Sequence, residues 1–133
     1  MRLLLAGLFA IACASAPVRD PSGCAAPAER AEIQQVQVGW KRPEASRSQA
    51  VDPSQPSRDE RQAEELASEL FAQCRKGARM DALQDRYSEA PGGSILVGPQ
   101  ARVPFRAAAL CLPRNQCALV RSDAAYHVLK RID

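Results

Sequence analysis

The sequence predicts an α+β fold, a small antiparallel sheet covered by helices, and three observations predict it. Ile33, Val36, Val38 and Trp40 stand among Gln and Gly over Ala31–Lys41, the apolar-polar alternation of a strand. Ala63, Leu66, Ala67, Leu70, Phe71 and Cys74 recur at three- and four-residue steps, which puts them on one helical face. The chain then ends on two strand-like runs, Cys117–Arg121 and Ala125–Ile132. Both periods occur within one short chain, so the apolar face of the helix has a sheet to cover.

From the N-terminus, Met1-Arg2 supplies a minimal positive region and Leu3–Ala12 an apolar stretch too short for the ~20 residues that span a bilayer, so residues 1–12 read as a signal peptide. Ala14-Ser15-Ala16 fits a small-x-small cleavage site, but Pro17 would follow the cut. Ala10-Ile11-Ala12-Cys13 fits a bacterial lipobox instead. On that reading Cys13 becomes the lipidated first residue, and more than one acyl chain makes the anchor stable. The expected address is the bacterial cell envelope, lipid-anchored. Ala14 after the cysteine argues, by analogy with lipoprotein sorting in enteric bacteria, for the outer membrane facing the periplasm. Residues 13–30, rich in Ala, Pro and Ser, read as a flexible tether, and 31–133 as the single folded domain.

Within that domain the strand of Ala31–Lys41 gives way to a polar, proline-bearing loop over Glu44–Arg58. Ser57-Arg58-Asp59-Glu60 has capping-box form and opens the main helix, which Gly77 stops. Met80, Leu83 and Tyr87 share one side of a second, shorter helix over Met80–Tyr87. A strand-like segment follows Pro91-Gly92-Gly93. Pro104 suits the first turn of a third helix whose apolar face carries Phe105, Ala108 and Leu112.

Charge excludes one class of partner. The 18 Lys and Arg, less Arg2, leave 17 against 15 Asp and Glu, a net +2 that implies no nucleic acid. Three Phe, two Tyr and one Trp provide no stacking platform for bases either. Four cysteines remain after Cys13: Cys24, Cys74, Cys111 and Cys117. In an oxidising envelope the spacing favours a Cys111–Cys117 bridge around Leu112-Pro113-Arg114-Asn115-Gln116; small apolar residues in a core is the alternative. No metal is expected, because the spacing is not Cys-x₂₋₄-Cys and the chain has a single histidine.

Four pieces in order carry a resemblance: Ala63-Glu64-Glu65-Leu66 with Lys76-Gly77, then Tyr87-Ser88-Glu89, then Pro104-Phe105 with an alanine-rich turn, then Tyr126-His127-Val128-Leu129-Lys130. Over roughly Ile33–Ile132 the chain resembles the parvulin-type peptidyl-prolyl cis-trans isomerases, or rotamases. The resemblance implies a parvulin-like sheet and an isomerase or foldase acting on X-Pro bonds of exported, proline-containing or unfolded polypeptides, without a cofactor. It implies Phe105 as the floor of a proline pocket, Ile95 and Ala101 as its apolar walls, and Leu110 beside it. His127 matches the histidine of the last strand, and Ser122 a hydroxyl position just before it.

The departures are as specific as the matches. Gln35 stands where the family has a first-strand histidine, Ala90 where it has Cys or Asp, and Ala124 at another hydroxyl position. Ala101 replaces a larger residue, and the glycine loop reads Gly92-Gly93-Ser94-Ile95-Leu96. A partly degenerate site of this kind also fits a non-catalytic chaperone or peptide-binding module. Each residue has a plain structural role open to it as well. His127 can pin a loop by its ring nitrogens, Phe105 can be core, Ser122 can form a turn beside Asp123, and Gln35 can be a solvated strand residue. Arg102 and Arg106 fit either contact with an acidic residue before proline or a solvated helix face.

Overall fold

A computed structural model describes residues 19–41 and 56–133. The signal segment, Cys13, the start of the tether and most of the loop after the first strand lie outside them. The order is β1 (Ala31–Gly39), α1 (Glu60–Arg75), α2 (Met80–Tyr87), β2 (Ser94–Val97), α3 (Arg106–Cys111), β3 (Cys117–Arg121) and β4 (Ala125–Arg131). The four strands form one antiparallel sheet in the order β2-β1-β4-β3, so the expected α+β architecture is present.

Register sorts the side chains into two faces, because successive residues of a strand point to opposite sides. Gln35 lies opposite Leu129, Val36 opposite Val128 and Gln37 opposite His127. On one face Val36, Val38, Trp40, Leu119, Tyr126 and Val128 pack against Leu70, Phe71, Met80 and Leu83 of α1 and α2. On the other, Ile33, Val97, Val120 and Leu129 pack against Phe105 and Leu110.

The main helix starts from Asp59 rather than Ser57. Asp59 Oδ1 accepts from the Gln62 amide at 2.8 Å and Gln62 Oε1 accepts from the Asp59 amide at 2.9 Å, a capping box two residues later than the one read from Ser57 and Glu60. Gly77, at φ 91°, takes the left-handed conformation that ends α1, which is where a side chain would be strained. The third helix begins at Arg106, past Pro104, with Phe105 as its N-cap.

The cysteines pair as Cys24–Cys111 and Cys74–Cys117, not as Cys111–Cys117. The short spacing between Cys111 and Cys117 is outweighed by the faces they occupy. Cys111 ends α3 on one side of the sheet, while Cys117 opens β3 and packs among the α1 residues on the other. Within the expected tether, residues 19–30 are fastened to the domain. Besides the bond from Cys24, the Ala28 amide donates to the Leu110 carbonyl and the Leu119 amide to the Arg19 carbonyl, both at 2.7 Å.

Candidate functional site

β1 extends past the end of β2, whose last pairing is Ser94 with Gln34. That would leave the edge of β1 from Gln35 to Gly39 open to another strand. The chain closes it with side chains. The Gln35 carbonyl accepts from Gln84 Nε2 at 2.9 Å, and the Gln37 amide donates to Ser88 Oγ at 3.1 Å. The Gln37 carbonyl accepts from the Glu89 amide at 3.0 Å, and the Gly39 amide donates to Glu89 Oε2 at 2.7 Å. Arg58 pairs with Glu89 and also donates to the Gly39 carbonyl. A Cβ on Gly39 would sit 2.6 Å from Glu89 Oε2, so a side chain there would have to push that carboxylate aside.

Gln84 does the most at this edge. It is 4 % exposed, and besides the Gln35 carbonyl it donates to the Gly93 carbonyl at 2.8 Å and accepts from the Gly93 amide at 3.1 Å. One buried amide therefore ties the glycine loop to the strand that carries Gln35. On α2 it borders the Met80, Leu83 and Tyr87 side; a polar residue next to an apolar stripe was the only sequence signal it offered.

On the far face Gln35, His127 and Ser122 come together, although β1 and β4 lie some ninety residues apart in the chain. Gln35 Oε1 is 3.1 Å from His127 Nδ1, and Ser122 Oγ is 2.9 Å from His127 Nε2. The Phe105 ring packs on the imidazole with centroids 5.1 Å apart and planes tilted by 52°. Ser122 is held at the turn into β4: its amide donates to the Ala125 carbonyl at 2.8 Å, and its Oγ lies 3.1 Å from the same carbonyl.

His127 is 4 % exposed, and burial lowers its pKa from 6.5 to about 4. The imidazole is neutral at pH 7, and two donor arrangements satisfy it. In one, Nδ1–H donates to Gln35 Oε1 and the Ser122 hydroxyl donates to Nε2. In the other, with the Gln35 amide turned over, its NH₂ donates to Nδ1, Nε2–H donates to Ser122 Oγ, and the hydroxyl donates to the Ala125 carbonyl. The row of hydrogen bonds can run in either direction without adding or removing a net charge. A carboxylate at position 35 could only accept, which would fix the row in one direction.

The apolar residues divide. Phe105 (2 % exposed) and Leu110 (8 %) belong to one buried cluster, with Ala101 partly buried against it. Ile95, opposite Ile33 on the edge strand β2, is 38 % exposed and is not part of that cluster. Phe105 is thus a covered ring beside the polar group, not an open floor. Ala90 lies on the β1 edge, its amide donating to Ser88 Oγ. Arg102 and Arg106 are exposed. Among the described residues, no three or more His, Cys, Asp or Glu gather as metal ligands would, and the four described cysteines are all in disulfides. No protein-family model matches the chain, and no curated protein matches it.

Proposed function

We propose that the domain is a parvulin-like peptidyl-prolyl cis-trans isomerase of the bacterial cell envelope, acting on X-Pro bonds of exported polypeptides. The observation that carries the reading is the convergence of Gln35, Phe105, Ser122 and His127, from four separate parts of the chain, on one face of the sheet. These are the positions at which the resemblance expects the polar cluster and the proline ring. The element order and the antiparallel sheet support it as well.

Rotation about an X-Pro bond is slow because amide resonance opposes it, with a barrier near ~20 kcal/mol. No covalent bond has to break, and no proton has to be transferred. A neutral imidazole held between an amide and a hydroxyl suits that task, because it can exchange hydrogen bonds with a twisted carbonyl or the proline nitrogen while charge stays constant. The apolar ring of Phe105 would hold the proline, once what covers it yields. Two disulfides suit an oxidising envelope, and Cys13 supplies the anchor.

Two observations favour a second reading, a non-catalytic chaperone or peptide-binding module: Phe105 is 2 % exposed, and among the described residues the hydrogen-bond partners of His127 are a neutral amide and a hydroxyl. The experiment is an exchange measurement by NMR on a short X-Pro peptide with the full chain. Acceleration of cis-trans exchange supports the isomerase. Peptide shifts at Phe105 and His127 without acceleration select the binding module, and neither effect rejects both. The full chain matters, since starting at Ala31 would remove Cys24 and leave Cys111 unpaired.

A further inference from the structure

The third helix is short for its position. It has six residues, fewer than a helix needs to persist in water by itself, yet it carries the cover of the polar group. Phe105 is its N-cap and stacks on His127; Cys111 is its last residue and is bonded to Cys24. Leu110, one residue earlier, accepts from the Ala28 amide at 2.7 Å. Residues 24–28 therefore cross the C-terminal end of α3 as a strap with one covalent and one hydrogen-bonded attachment.

The two disulfides differ in access. Cys24 is exposed and Cys111 half-buried, whereas Cys74 is 2 % exposed in the α1 core and its partner Cys117 is half-buried. Cys24, Cys111 and also Cys117 line one open groove of about 560 Å³ together with Phe71, Leu112 and Arg75, so the exposure of Cys24, and not the groove, separates the two bonds. A guanidinium there favours an approaching thiolate.

We propose that the Cys24–Cys111 disulfide is a redox-sensitive strap that governs access to the Phe105–His127 site, opened by an external dithiol. The proposal takes the location of that site from the function proposed above, but the coupling stands on geometry alone. In the first step a thiolate of the dithiol attacks Sγ of Cys24, the more exposed residue of the pair; a mixed disulfide forms and Cys111 leaves as thiolate. The second thiol of the dithiol then attacks its own sulfur in the mixed disulfide and releases Cys24. The chain gains two electrons and two protons, and the dithiol becomes a disulfide. With the strap open, α3 keeps its packing and the bond from the Arg131 guanidinium to the Leu112 carbonyl at its C-cap, and water reaches Phe105 and the imidazole.

The test is graded reduction of the full chain with dithiothreitol. It is read by site-resolved alkylation, amide hydrogen exchange and NMR titration of His127. Cys24 and Cys111 are expected to label at reductant concentrations that leave Cys74–Cys117 closed. The amides of Ala28 and Ala109, bonded to Leu110 and Phe105, should then exchange at least ten-fold faster, and the His127 midpoint should rise from about 4 toward 6.5. The Cys24→Ser/Cys111→Ser variant should show the same exchange and midpoint without reductant. Opening of Cys74–Cys117 first, or an open Cys24–Cys111 with unchanged exchange and midpoint, overturns the proposal. If the variant does not fold, the wild-type titration decides alone. None of these readouts uses catalysis, so a chain with a working strap and no effect on X-Pro exchange would reject the isomerase and keep the strap.

Discussion

The two faces of the sheet are built differently. One is covered by the 16-residue α1 and by α2, packs large apolar side chains with the buried amide of Gln84 at its edge, and is stapled by Cys74–Cys117 from the buried Cys74 at the end of α1. The other is covered by the six-residue α3, is stapled from outside through Cys24, and holds a buried histidine between an amide and a hydroxyl. Burial of large apolar side chains stabilises the first face, and polar groups that must be satisfied individually interrupt the second. The difference teaches where a ligand could enter at least cost: on the face with the thinner cover.

Truncation on each face gives the largest effects. Leu70, 0 % exposed, and Phe105, 2 % exposed, should each cost about 3–5 kcal/mol when changed to Ala, measured by denaturant unfolding. The faces separate in a second measurement. Phe105→Ala should raise the His127 midpoint, because the ring that shields it is gone, while Leu70→Ala should leave it near 4. Equal midpoints in the two variants would break the comparison.

The disulfides sharpen it next. Cys74–Cys117 spans 43 residues, for which chain entropy gives about 4 kcal/mol, and Cys24–Cys111 spans 87, for which it gives about 4.6. If residues 19–30 can detach while the sheet stays folded, removal of the second bond costs less than removal of the first. Urea unfolding of the two double Cys→Ser variants should show that reversal of the chain-length ranking.

Acidity separates the faces by a comparable amount. The folded-state pKa of His127 is depressed, so between pH 6.5 and about 4 the unfolded chain takes up a proton that the native one refuses. Stability should be full above pH 6.5 and fall as pH drops toward 4, by about 3 kcal/mol from this residue. The loss should be absent in His127→Gln, so the wild-type profile minus the variant profile should fall as pH drops over this range. A difference profile that is flat over this range would contradict the burial of the imidazole.

The smallest expected effect is at the edge of β1. Gly39→Ala must displace the Glu89 carboxylate and with it the bond to the Gly39 amide and the pair with Arg58, a loss of about 1 kcal/mol by thermal unfolding. Glu89→Gln keeps the space and loses the charge, so it should cost less than Gly39→Ala.

Sequence reading went furthest where the physics is local. The apolar spacing from Ala63 to Cys74 requires a helix whatever else the chain does, and Gly77 ends it because only glycine adopts φ 91° without strain. The cap was misplaced by two residues, since Ser57 and Asp59 are both good caps and the choice depends on Gln62 reaching back. Gln35, Ser122 and His127 were singled out together through resemblance. No periodicity in the sequence joins residues so far apart in the chain.

The amino-acid sequence by itself determined the helices α1 and α2, the closing strands and the mixed α+β class, because propensity, spacing and caps act over a few residues. Tertiary structure alone decided the disulfide pairing, the strap over α3, the work of Gln84 and the neutrality of His127. Each of these depends on which face of the sheet a side chain occupies and on how far water is excluded there. Four cysteines allow three pairings that sequence separation cannot rank, and one step along a strand exchanges one face for the other. Burial, not residue type, lowers the histidine from 6.5 to about 4.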